Sequence, residues 1–259
     1  MNETTFQPWL SDGEAPIAFH KSSVLPCPYL PGRAERRIVA ELTPAVARAG
    51  AFDALTAVGF RRSHGLMYRP ACPSCSACVP VRVVVERFQA RRTLQRTWRD
   101  NADLTAAVVA PRATVEQYRL FHAYQLARHR DGDMALMDFV DYRALVEESP
   151  VTTHLLELRD AAGALIACCL FDGAADGPSA VYSFFADLPE RSLGSLIVLW
   201  LIEHARAAGQ PYVYLGYWIE ACRKMAYKVR FRPVEALGPV GWQPIDPAPP
   251  ARAADPVTP

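Results

Sequence analysis

Three closely spaced cysteines form the first group in this sequence whose type and spacing could do chemistry. Cys72, Cys75 and Cys78 are each separated from the next by two residues. Thiolates at such spacing can hold a structural zinc ion or an iron–sulfur cluster. The usual zinc pattern has two separated Cys-x-x-Cys pairs, whereas these three cysteines share one loop. Metal ligation and plain reduced thiols therefore both stay open.

A run of arginines follows the cysteines and is opposed within its own window chiefly by Glu86. Guanidinium groups neutralise the phosphate oxygens of nucleic acids, and such contacts position a protein without selecting a sequence. A solvated helix surface is the alternative for these side chains. The candidates for phosphate contact are Arg87, Arg91, Arg92 and Arg96.

The composition of the chain bounds what it can be. The 259 residues are 51% hydrophobic and 21% charged, which is typical of a globular protein with a sizeable core. The formal net charge is only +1, so no overall field would attract nucleic acid. Any such binding must come from local basic patches.

The sequence contains no candidate membrane segment. Its longest apolar run, from Leu196 to Ile202, is far shorter than the roughly 20 residues that a span requires. The N-terminus lacks the basic and then apolar order of a signal peptide. Seven cysteines, an odd number, do not indicate a disulfide framework. We expect a cytoplasmic protein with reduced thiols, and we expect Cys168, Cys169 and Cys222 to be core residues.

The first half of the chain predicts a small cysteine-bearing unit followed by helices. Thr43-Pro44 is typical of a helix start, and that helix should end at Gly59. Alternating valines predict a strand from Val79 to Val85 after the cysteine loop. A capping box at Thr114 to Gln117 predicts a helix through about Arg128, and a second helix should run from Asp138 to Glu148. A short strand around Leu66 to Arg69 precedes the cysteines.

The second half predicts an antiparallel meander and then alternating helices and strands. Pro and Ala dominate beyond Trp242, where we expect a disordered tail. The three meander strands are Thr152 to Arg159, Ala164 to Phe171 and Ser179 to Phe185. The later elements are an apolar helix from Ser192 to Ala208, a strand from Tyr212 to Leu215, a basic helix from Ile219 to Lys228 and a strand from Arg232 to Leu237.

This order of elements resembles the GNAT-type acyltransferase fold, in which an acyl donor lies between two splayed central strands. The predicted class is α+β: a GNAT-like domain with a mixed, mostly antiparallel sheet, preceded by a small cysteine-containing α/β unit. We expect this N-terminal unit in residues 1–85, the transferase domain in 86–240 and the tail in 241–259. A shared fold alone does not determine function.

The loop before the apolar helix bears on the donor. Acetyl-CoA-dependent members hold the pyrophosphate with a loop of the form R/Q-x-x-G-x-G/A, whose small residues permit close approach. Here Arg191 and Gly194 fit that form, but Leu196 occupies the last position. Coenzyme A is therefore disfavoured, while Ser192 and Gly194 remain candidates for holding another donor.

Several dispersed motifs resemble the bacterial aspartate/glutamate leucyltransferases, relatives of the arginyltransferases, over roughly residues 20 to 237. One departure is Arg91-Arg92-Thr93-Leu94-Gln95-Arg96, where relatives carry a Ser-Arg-Ser-Gln-Arg-Arg-like run. The matching motifs are Cys27-Pro28-Tyr29-Leu30-Pro31 with Arg33, Gly59-Phe60-Arg61-Arg62-Ser63, Tyr68-Arg69-Pro70 leading into the cysteine loop, Arg128-His129-Arg130-Asp131-Gly132-Asp133-Met134, Arg191-Ser192-Leu193-Gly194, and Tyr212 to Ile219 with Cys222-Arg223-Lys224-Met225 and Tyr227-Lys228.

The resemblance implies transfer of leucine from leucyl-tRNA to proteins beginning with Asp or Glu, which marks them for degradation. Arginyl-tRNA is the alternative donor, and no cofactor is required for transfer. The ester is already activated, so positioning and oxyanion stabilisation should dominate catalysis. Asp131 and Asp133 are the candidate bases, although Asp-Gly-Asp is also ordinary turn chemistry. Tyr217 is a further catalytic candidate.

The two substrates of such an enzyme need different contacts. Tyr214 and Trp218 could stack the terminal adenine of tRNA, with core packing as the alternative. An acidic acceptor needs a cation near the reacting amine. Its candidates are Arg82, Arg223, Lys224 and Lys228, and on the predicted helix the two lysines share a face. A solvated basic surface is the alternative for them.

The resemblance also brings Cys27 close to the cysteine loop. Cys27, Cys72, Cys75 and Cys78 would then complete a four-thiolate site for zinc or an iron–sulfur cluster. A rival hypothesis is an acetyl-CoA-dependent acetyltransferase, which Leu196 opposes. Another is a non-catalytic metal-ribbon protein that binds nucleic acid, which leaves the second half of the chain without a role.

Overall fold

The structure, a computed structural model, describes residues 17–48, 50–130 and 132–245, with Arg48 described by its backbone only. The strands of the described residues are β1 Phe19–Lys21, β2 Leu25–Pro26, β3 Ala34–Glu35, β4 Arg37–Glu41, β5 Arg61–Ser63, β6 Leu66–Pro70, β7 Val79–Val84, β8 Thr105–Val109, β9 Thr153–Arg159, β10 Leu165–Ala174, β11 Gly177–Phe185, β12 Tyr212–Trp218, β13 Val234–Gly238 and β14 Gly241–Ile245. The α-helices are α1 Pro44–Arg48, α2 Ala51–Ala57, α3 Arg92–Arg99, α4 Val115–Arg128, α5 Phe139–Glu147 and α6 Leu193–Ala207.

The strands assemble into one large and two smaller sheets. The eight-stranded sheet has the order β14-β13-β7-β12-β11-β10-β9-β8, and the four-stranded sheet has the order β1-β4-β6-β5. Strands β2 and β3 form a two-stranded ribbon. Within the large sheet, β11 and β12 pair in parallel and the other registered neighbours pair antiparallel. The predicted α+β class with a mixed, mostly antiparallel sheet is confirmed.

Helices cover both faces of the large sheet. One face packs against α6 and α3 through Val83, Val213 and Ile202, and the other packs against α4 and α5 through Phe121 and Tyr142. Alternating side chains of β10 supply both cores, because successive residues of a strand point to opposite faces. Cys168 lies in the α4–α5 core and Cys169 in the α6 core, so both are buried core residues as predicted.

The parallel pair opens almost at once. Strands β11 and β12 share a single registered pair, Ser179 with Tyr214. Beyond it the pairing of β12 with β7 shifts register between Tyr214 and Gly216. Such a bulge bends its strand. A cleft therefore opens between the later residues of the two strands, which is the position that the GNAT-type fold predicts for an acyl donor.

Two helix predictions in the first half of the chain have different outcomes. The capping box at Thr114 is confirmed, since its hydroxyl accepts from the Gln117 N–H and the Gln117 side chain accepts from the Thr114 N–H. The single helix expected from Thr43 to Gly59 is instead two short helices. Gly50 separates them with φ of 81°, a left-handed conformation that ends a helix.

The predicted basic helix from Ile219 to Lys228 is wrong. The chain makes turns closed by bonds from Cys222 N to Ile219 O and from Met225 N to Cys222 O, and a 3₁₀ helix follows over Ala226–Arg230. The tighter turns rotate side chains differently from an α-helix. Lys224 and Lys228 therefore do not share a face: Lys224 is exposed and Lys228 is buried.

The chain end and the sheet composition also differ from the sequence-based division. Residues 241–245, expected in the tail, form β14, because Trp242 packs against Tyr214 and its indole N–H donates to Ala57 O at 2.8 Å. Residues 246–259 lie outside the described residues.

Strand β7, assigned to the N-terminal unit, pairs with β12 and β13 inside the large sheet. Within the described ranges, no helix is long and apolar enough to cross a membrane.

A buried ion pair joins the four-stranded sheet to the meander. The Arg62 guanidinium donates to both Asp172 carboxylate oxygens, at 2.6 and 2.8 Å, and both side chains are almost fully buried. Thr153 donates a further hydrogen bond of 2.7 Å to the same carboxylate. Each charge therefore depends on the other for its solvation.

We predict that Arg62→Met destabilises the protein by roughly 3–5 kcal/mol, because it leaves the Asp172 carboxylate buried without its cation. Urea denaturation followed by circular dichroism measures the change. Arg69→Met is the matched control, since Arg69 is an exposed residue of β6. A second variant, Arg62→Met with Asp172→Leu, should recover much of the loss. An Arg62→Met protein as stable as the control would contradict the assigned role.

Candidate active site at the strand divergence

Arg61 enters the cleft between β11 and β12 from the N-terminal unit. Its Nη2 donates to Ala180 O and, at 3.3 Å, to Val181 O, two carbonyl groups of β11 beyond the registered pair with β12. A Cβ atom at Gly216 would lie 1.9 Å from the Arg61 guanidinium, and Gly216 also has φ of 74°. Only glycine therefore permits this approach. The guanidinium lies where the two strands separate.

Lys228 lies in the same region with a buried amino group. Its Nζ donates to Tyr217 O at 2.7 Å. Burial, together with a smaller effect of the Arg61 charge, lowers the pKa of Lys228 to about 7. Both effects disfavour the ammonium form. The 3₁₀ helix that replaces the predicted α-helix is what brings this lysine inside.

These two cations have no acidic partner among the described residues. The ion pairs found in those residues involve neither Arg61 nor Lys228. The Nη1 atom of Arg61 is buried and has no hydrogen-bond partner in the described parts of the chain. Buried polar atoms are normally paired, so this donor has hydrogen-bonding capacity to offer a ligand. The arrangement fits an anion.

Polar aromatic residues line the surroundings of the two cations. The Tyr182 hydroxyl accepts from Gln125 Nε2 at 2.6 Å, and burial raises the pKa of Tyr182 to about 12. Burial likewise raises the pKa of Tyr29 and of Tyr227 to about 12, while nearby Arg61 opposes both shifts. These phenols are therefore neutral at pH 7 and can donate hydrogen bonds.

The C-terminal end of α4 lies beside the 219–225 turns. Lys224 Nζ lies 3.4 Å from Arg128 O and 3.3 Å from His129 Nδ1. Partial burial lowers the pKa of His129, and the charge of Lys224 adds to the effect. Lys224 is thus at the surface next to α4, and Arg223 is also exposed. Both stay candidates for the acceptor, at the rim of the molecule.

The structure places the remaining candidates of β7 and β12 in packed positions. Arg82 forms an ion pair with Glu235 at 2.8 Å, and its guanidinium lies 3.4 Å from the centre of the Tyr212 ring. The Tyr214 hydroxyl donates to Asp176 at 2.7 Å and lies 3.3 Å from Arg82 Nη1. Arg82 is already neutralised, which leaves it no free charge for an acceptor.

Tyr217 links the two halves of the molecule. Its buried hydroxyl lies 3.0 Å from Gly59 O and 3.0 Å from Tyr68 O. Burial raises the pKa of Tyr217 far above its ordinary value, so the phenol stays protonated. Trp218 is half-buried against the α6 core, and its buried indole N–H has no hydrogen-bond partner among the residues that the structure describes. The neighbouring carbonyl of Tyr217 holds Lys228.

The candidates for a base have separate outcomes. Asp133 is exposed and begins a short 3₁₀ helix, Asp133–Leu136. Asp131 lies outside the described residues.

A groove beside the cleft combines the arginine run with the start of α6. Ser192 precedes α6 in a left-handed conformation, with φ of 50°. Gly194 lies in the first turn, where a Cβ would be 3.3 Å from the Phe185 ring. Leu196 is buried in the core of α6, so the acetyl-CoA-type loop is absent from this helix start. The charged residues that line the groove are Arg96, Arg230, Asp100 and Glu190, and its other polar residues are Thr93, Thr97, Ser192 and Ser195.

The arginine run presents a basic surface at this groove. The helix predicted there is α3, and its charged side chains point outward while Leu94 packs inward. Arg96 forms an exposed ion pair with Asp100, the residue that follows its helix. Such pairs contribute little, so the charge remains available. Arg87, Arg91, Arg92 and Arg96 are all exposed.

The four candidate metal ligands converge on one small cavity. Cys27, Cys72, Cys75 and Cys78 all line it, together with Arg33 and Glu35. Burial, together with smaller effects of the other three thiols, raises the pKa of Cys78 to about 11. The pKa of Cys75 is lowered, chiefly by the Ala77 N–H. Within the part of the chain that the structure describes, no three such side chains are spaced as ligands of one ion.

Fold and site together define the class of the protein as an acyltransferase. Two parallel strands diverge in its large sheet, and a groove that Arg96 and Arg230 line lies at the start of α6.

The comparisons with known proteins agree with this class. Residues 25–96 match the family "Arginine-tRNA-protein transferase, N terminus", and residues 116–238 match "Arginine-tRNA-protein transferase, C terminus". The aspartate/glutamate leucyltransferase of Paramagnetospirillum magneticum is 54% identical over 88% of this chain and 93% of that protein. The enzyme of the same name from Rhodospirillum rubrum is 48% identical over 89% and 94%. The chain belongs to the arginine-tRNA–protein transferase family, and it is an aminoacyltransferase.

A likeness among solved structures is weaker. L-PGS from Bacillus licheniformis has a TM-score of 0.45 at 12% identity, over 55% of this chain and 47% of that one. A similarity at this level does not distinguish between related folds.

Sequence reasoning missed the central residue of the cleft. Arg61 occurs in the motif Gly59-Phe60-Arg61-Arg62-Ser63, where two adjacent arginines on a strand must point to opposite sides. Arg62 is buried in its ion pair, so Arg61 had to face elsewhere. Gly216 within an aromatic strand was the second signal, because an isolated glycine in a strand indicates a bulge or a close approach.

We predict that Lys228→Met changes the pH dependence of stability. The folded pKa of about 7 lies below the unfolded value of 10.5, so between these pH values the unfolded chain binds one more proton. The stability of the wild type should therefore rise relative to the variant by roughly 1.4 kcal/mol per pH unit in that window, and the difference should be constant below pH 7. Urea denaturation of both proteins at pH 6, 7, 8 and 9 measures it. A constant difference across all four pH values would rule out a depressed pKa.

Proposed function

We propose that this protein transfers leucine from leucyl-tRNA to the N-terminal amine of proteins that begin with Asp or Glu. The observation that carries the proposal is the identity of 54% with a protein named aspartate/glutamate leucyltransferase, over 93% of that protein. The second candidate donor is arginyl-tRNA, which the name of the matching family favours. The relatives at about half identity favour leucine.

The groove at the start of α6 supports a polyanionic donor. Arg96 of α3 and Arg230 line it, and Arg230 shares a 3₁₀ helix with Lys228 of the cleft. Phosphate groups bound at the groove would therefore place the tRNA 3′ end beside the strand divergence. Backbone contacts of this kind fix position, which is what the tRNA body requires.

The chemistry needs alignment more than activation. The neutral amine of the acceptor attacks the ester carbonyl carbon, the new C–N bond forms, the ester C–O bond breaks, and the amine proton passes to the ribose oxygen of the released tRNA. Holding the two substrates in register supplies much of the rate. The neutral phenols beside the cleft offer hydrogen-bond donors for the charge that develops on the carbonyl oxygen.

A transfer assay tests the donor and the acceptor together. Purified protein is incubated with radiolabelled leucyl-tRNA, arginyl-tRNA or acetyl-CoA and a peptide that starts with Asp, Glu, Asn or Ala. We expect label from leucyl-tRNA in the Asp and Glu peptides alone. Label from arginyl-tRNA instead would select the second candidate, and label in none of the peptides would reject the function.

We predict that the arginine surface of α3 binds tRNA electrostatically. Replacing Arg91, Arg92 and Arg96 by Ala should weaken leucyl-tRNA binding and lower the slope of log K against log salt by roughly one unit for each lost phosphate contact. The matched control replaces Arg112, Arg119 and Arg143, three exposed arginines elsewhere in the chain. Filter binding across a salt series measures both. Equal slopes for the two triple variants would exclude the α3 surface as the tRNA site.

The expected setting follows from the substrates. Aminoacyl-tRNA is a cytoplasmic metabolite, which supports a cytoplasmic enzyme, and the same function predicts that leucine addition marks acceptors for degradation. A test protein that starts with Asp should therefore be degraded faster in cells that contain this enzyme than in cells that lack it.

We also propose a metal or iron–sulfur role for the four cysteines. Their convergence on one cavity supports it, as does the lowered pKa of the Cys75 thiol. Closing of the loop around a bound group would have to bring the thiols to ligand spacing. Such a group would be structural, since the transfer reaction itself requires no cofactor.

Elemental analysis of anaerobically purified protein tests this proposal. We expect zinc or iron near one site per chain, lost in Cys75→Ser together with a fall in melting temperature. Cys222→Ser is the control, because Cys222 is buried away from that cavity. Wild-type protein without either metal would leave the cysteines as plain thiols.

A further inference from the structure

The cations at the strand divergence have no described carboxylate to balance them. Arg61 donates to two neutral carbonyl groups and Lys228 to a third. Two like charges close together in a buried place repel, and each lacks the solvation that it would have in water. A protein retains such a pair when an anion binds there. The position of the two cations and the size of the space around them indicate which anion binds.

The position of the pair selects the acceptor over the donor. The tRNA phosphates already have a separate basic surface on α3, whose arginines are exposed and suited to a large polyanion. The cleft pair is partly enclosed, as Arg61 is half-buried and Lys228 is buried. A small anion on a narrow side chain fits such a place, and a guanidinium pairs well with a planar carboxylate.

We infer that Arg61 and Lys228 bind the side-chain carboxylate of the acceptor's first residue and so determine the preference for Asp and Glu. The inference rests on the proposed function and names the residues that read its acceptor. One of the two cations, Arg61, belongs to the N-terminal unit. Arg82 is a poorer candidate because it already forms an ion pair with Glu235.

The state of the two side chains supports this role. The Nη1 edge of Arg61 has hydrogen-bonding capacity that the described residues leave unused. The pKa of Lys228 is depressed by burial and by Arg61, and a bound carboxylate would offset both effects. The amide of Asn or Gln has the shape of the acid and none of its charge. It would leave both cations unbalanced, so neutral acceptors are rejected.

The experiment compares acceptors across variants of the full-length protein. The value of kcat/KM is measured with labelled leucyl-tRNA and matched peptides that start with Asp or Asn, for wild type, Arg61→Gln, Arg61→Lys and Lys228→Met. Arg69→Gln is the control, being an exposed arginine on the strand next to Arg61. Filter binding of leucyl-tRNA and melting temperature are measured for each protein.

We expect Arg61→Gln to lose on the order of 100-fold in kcat/KM for the Asp peptide, mainly through KM. The ratio of Asp to Asn rates should fall toward one, while leucyl-tRNA binding stays within about twofold of wild type. Lys228→Met should lower the same ratio by a smaller factor, and Arg61→Lys should keep part of it. The Arg69→Gln control should behave as wild type.

The outcomes distinguish a failure of the inference from a failure of the proposed function. If wild type transfers leucine to no acidic peptide, the proposed function fails. If wild type is active and Arg61→Gln keeps its Asp to Asn ratio, or loses both rates equally, the carboxylate assignment is overturned. Should Arg61→Gln fail to fold, Lys228→Met and Arg61→Lys decide by the same ratio. A loss of tRNA binding with an unchanged ratio would assign the pair to the donor instead.

Discussion

Two neighbouring parallel strands cannot be joined by a tight turn, and the rest of this structure follows from how the chain meets that constraint. Between β11 and β12 the chain crosses the sheet as α6, whose apolar face fills the core on that side. After one registered pair the two strands separate, because the bulge at Gly216 bends β12 away. The carbonyl groups of β11 that lose a strand partner must then be bonded by something else, and Arg61 bonds them.

The N-terminal unit is therefore a part of the site rather than an attachment. Arg62 fixes β5 to the meander through Asp172, and this places the adjacent Arg61 at the divergence. The Tyr217 hydroxyl, near Gly59 O and Tyr68 O, fixes the end of β12 to the same unit. The main-chain carbonyl of Tyr217 in turn holds Lys228. The proposed acceptor site and the attachment of the N-terminal unit thus use neighbouring atoms.

Local signals in the sequence predicted the periodic elements well and the long-range contacts poorly. The capping box at Thr114, the meander and α6 have strong local patterns, and each forms where expected. The prediction of a basic helix was wrong because its charged residues suggested a solvent-exposed surface. Lys228 instead faces inward and donates to the main-chain carbonyl of Tyr217 in β12. The family motifs correctly indicated the protein's class. They could not show that Arg82 is paired with Glu235 or that Arg61 reaches Gly216, since both contacts join residues far apart in the chain.

The Arg61 guanidinium fills the space that a side chain at position 216 would occupy, and this contact links the two parts of the chain. Residues 25–96 and 116–238 match two separate family descriptions, which suggests two modules that could be exchanged between relatives. Yet the absence of a side chain at Gly216 is useful only to a partner that supplies an arginine of the right reach, and Arg61 is useful only over a glycine. In a hybrid of unrelated halves, a side chain at position 216 would collide with the Arg61 guanidinium, and a shorter residue at position 61 would leave the space above Gly216 unfilled. The identities of residues 61 and 216 therefore constrain one another.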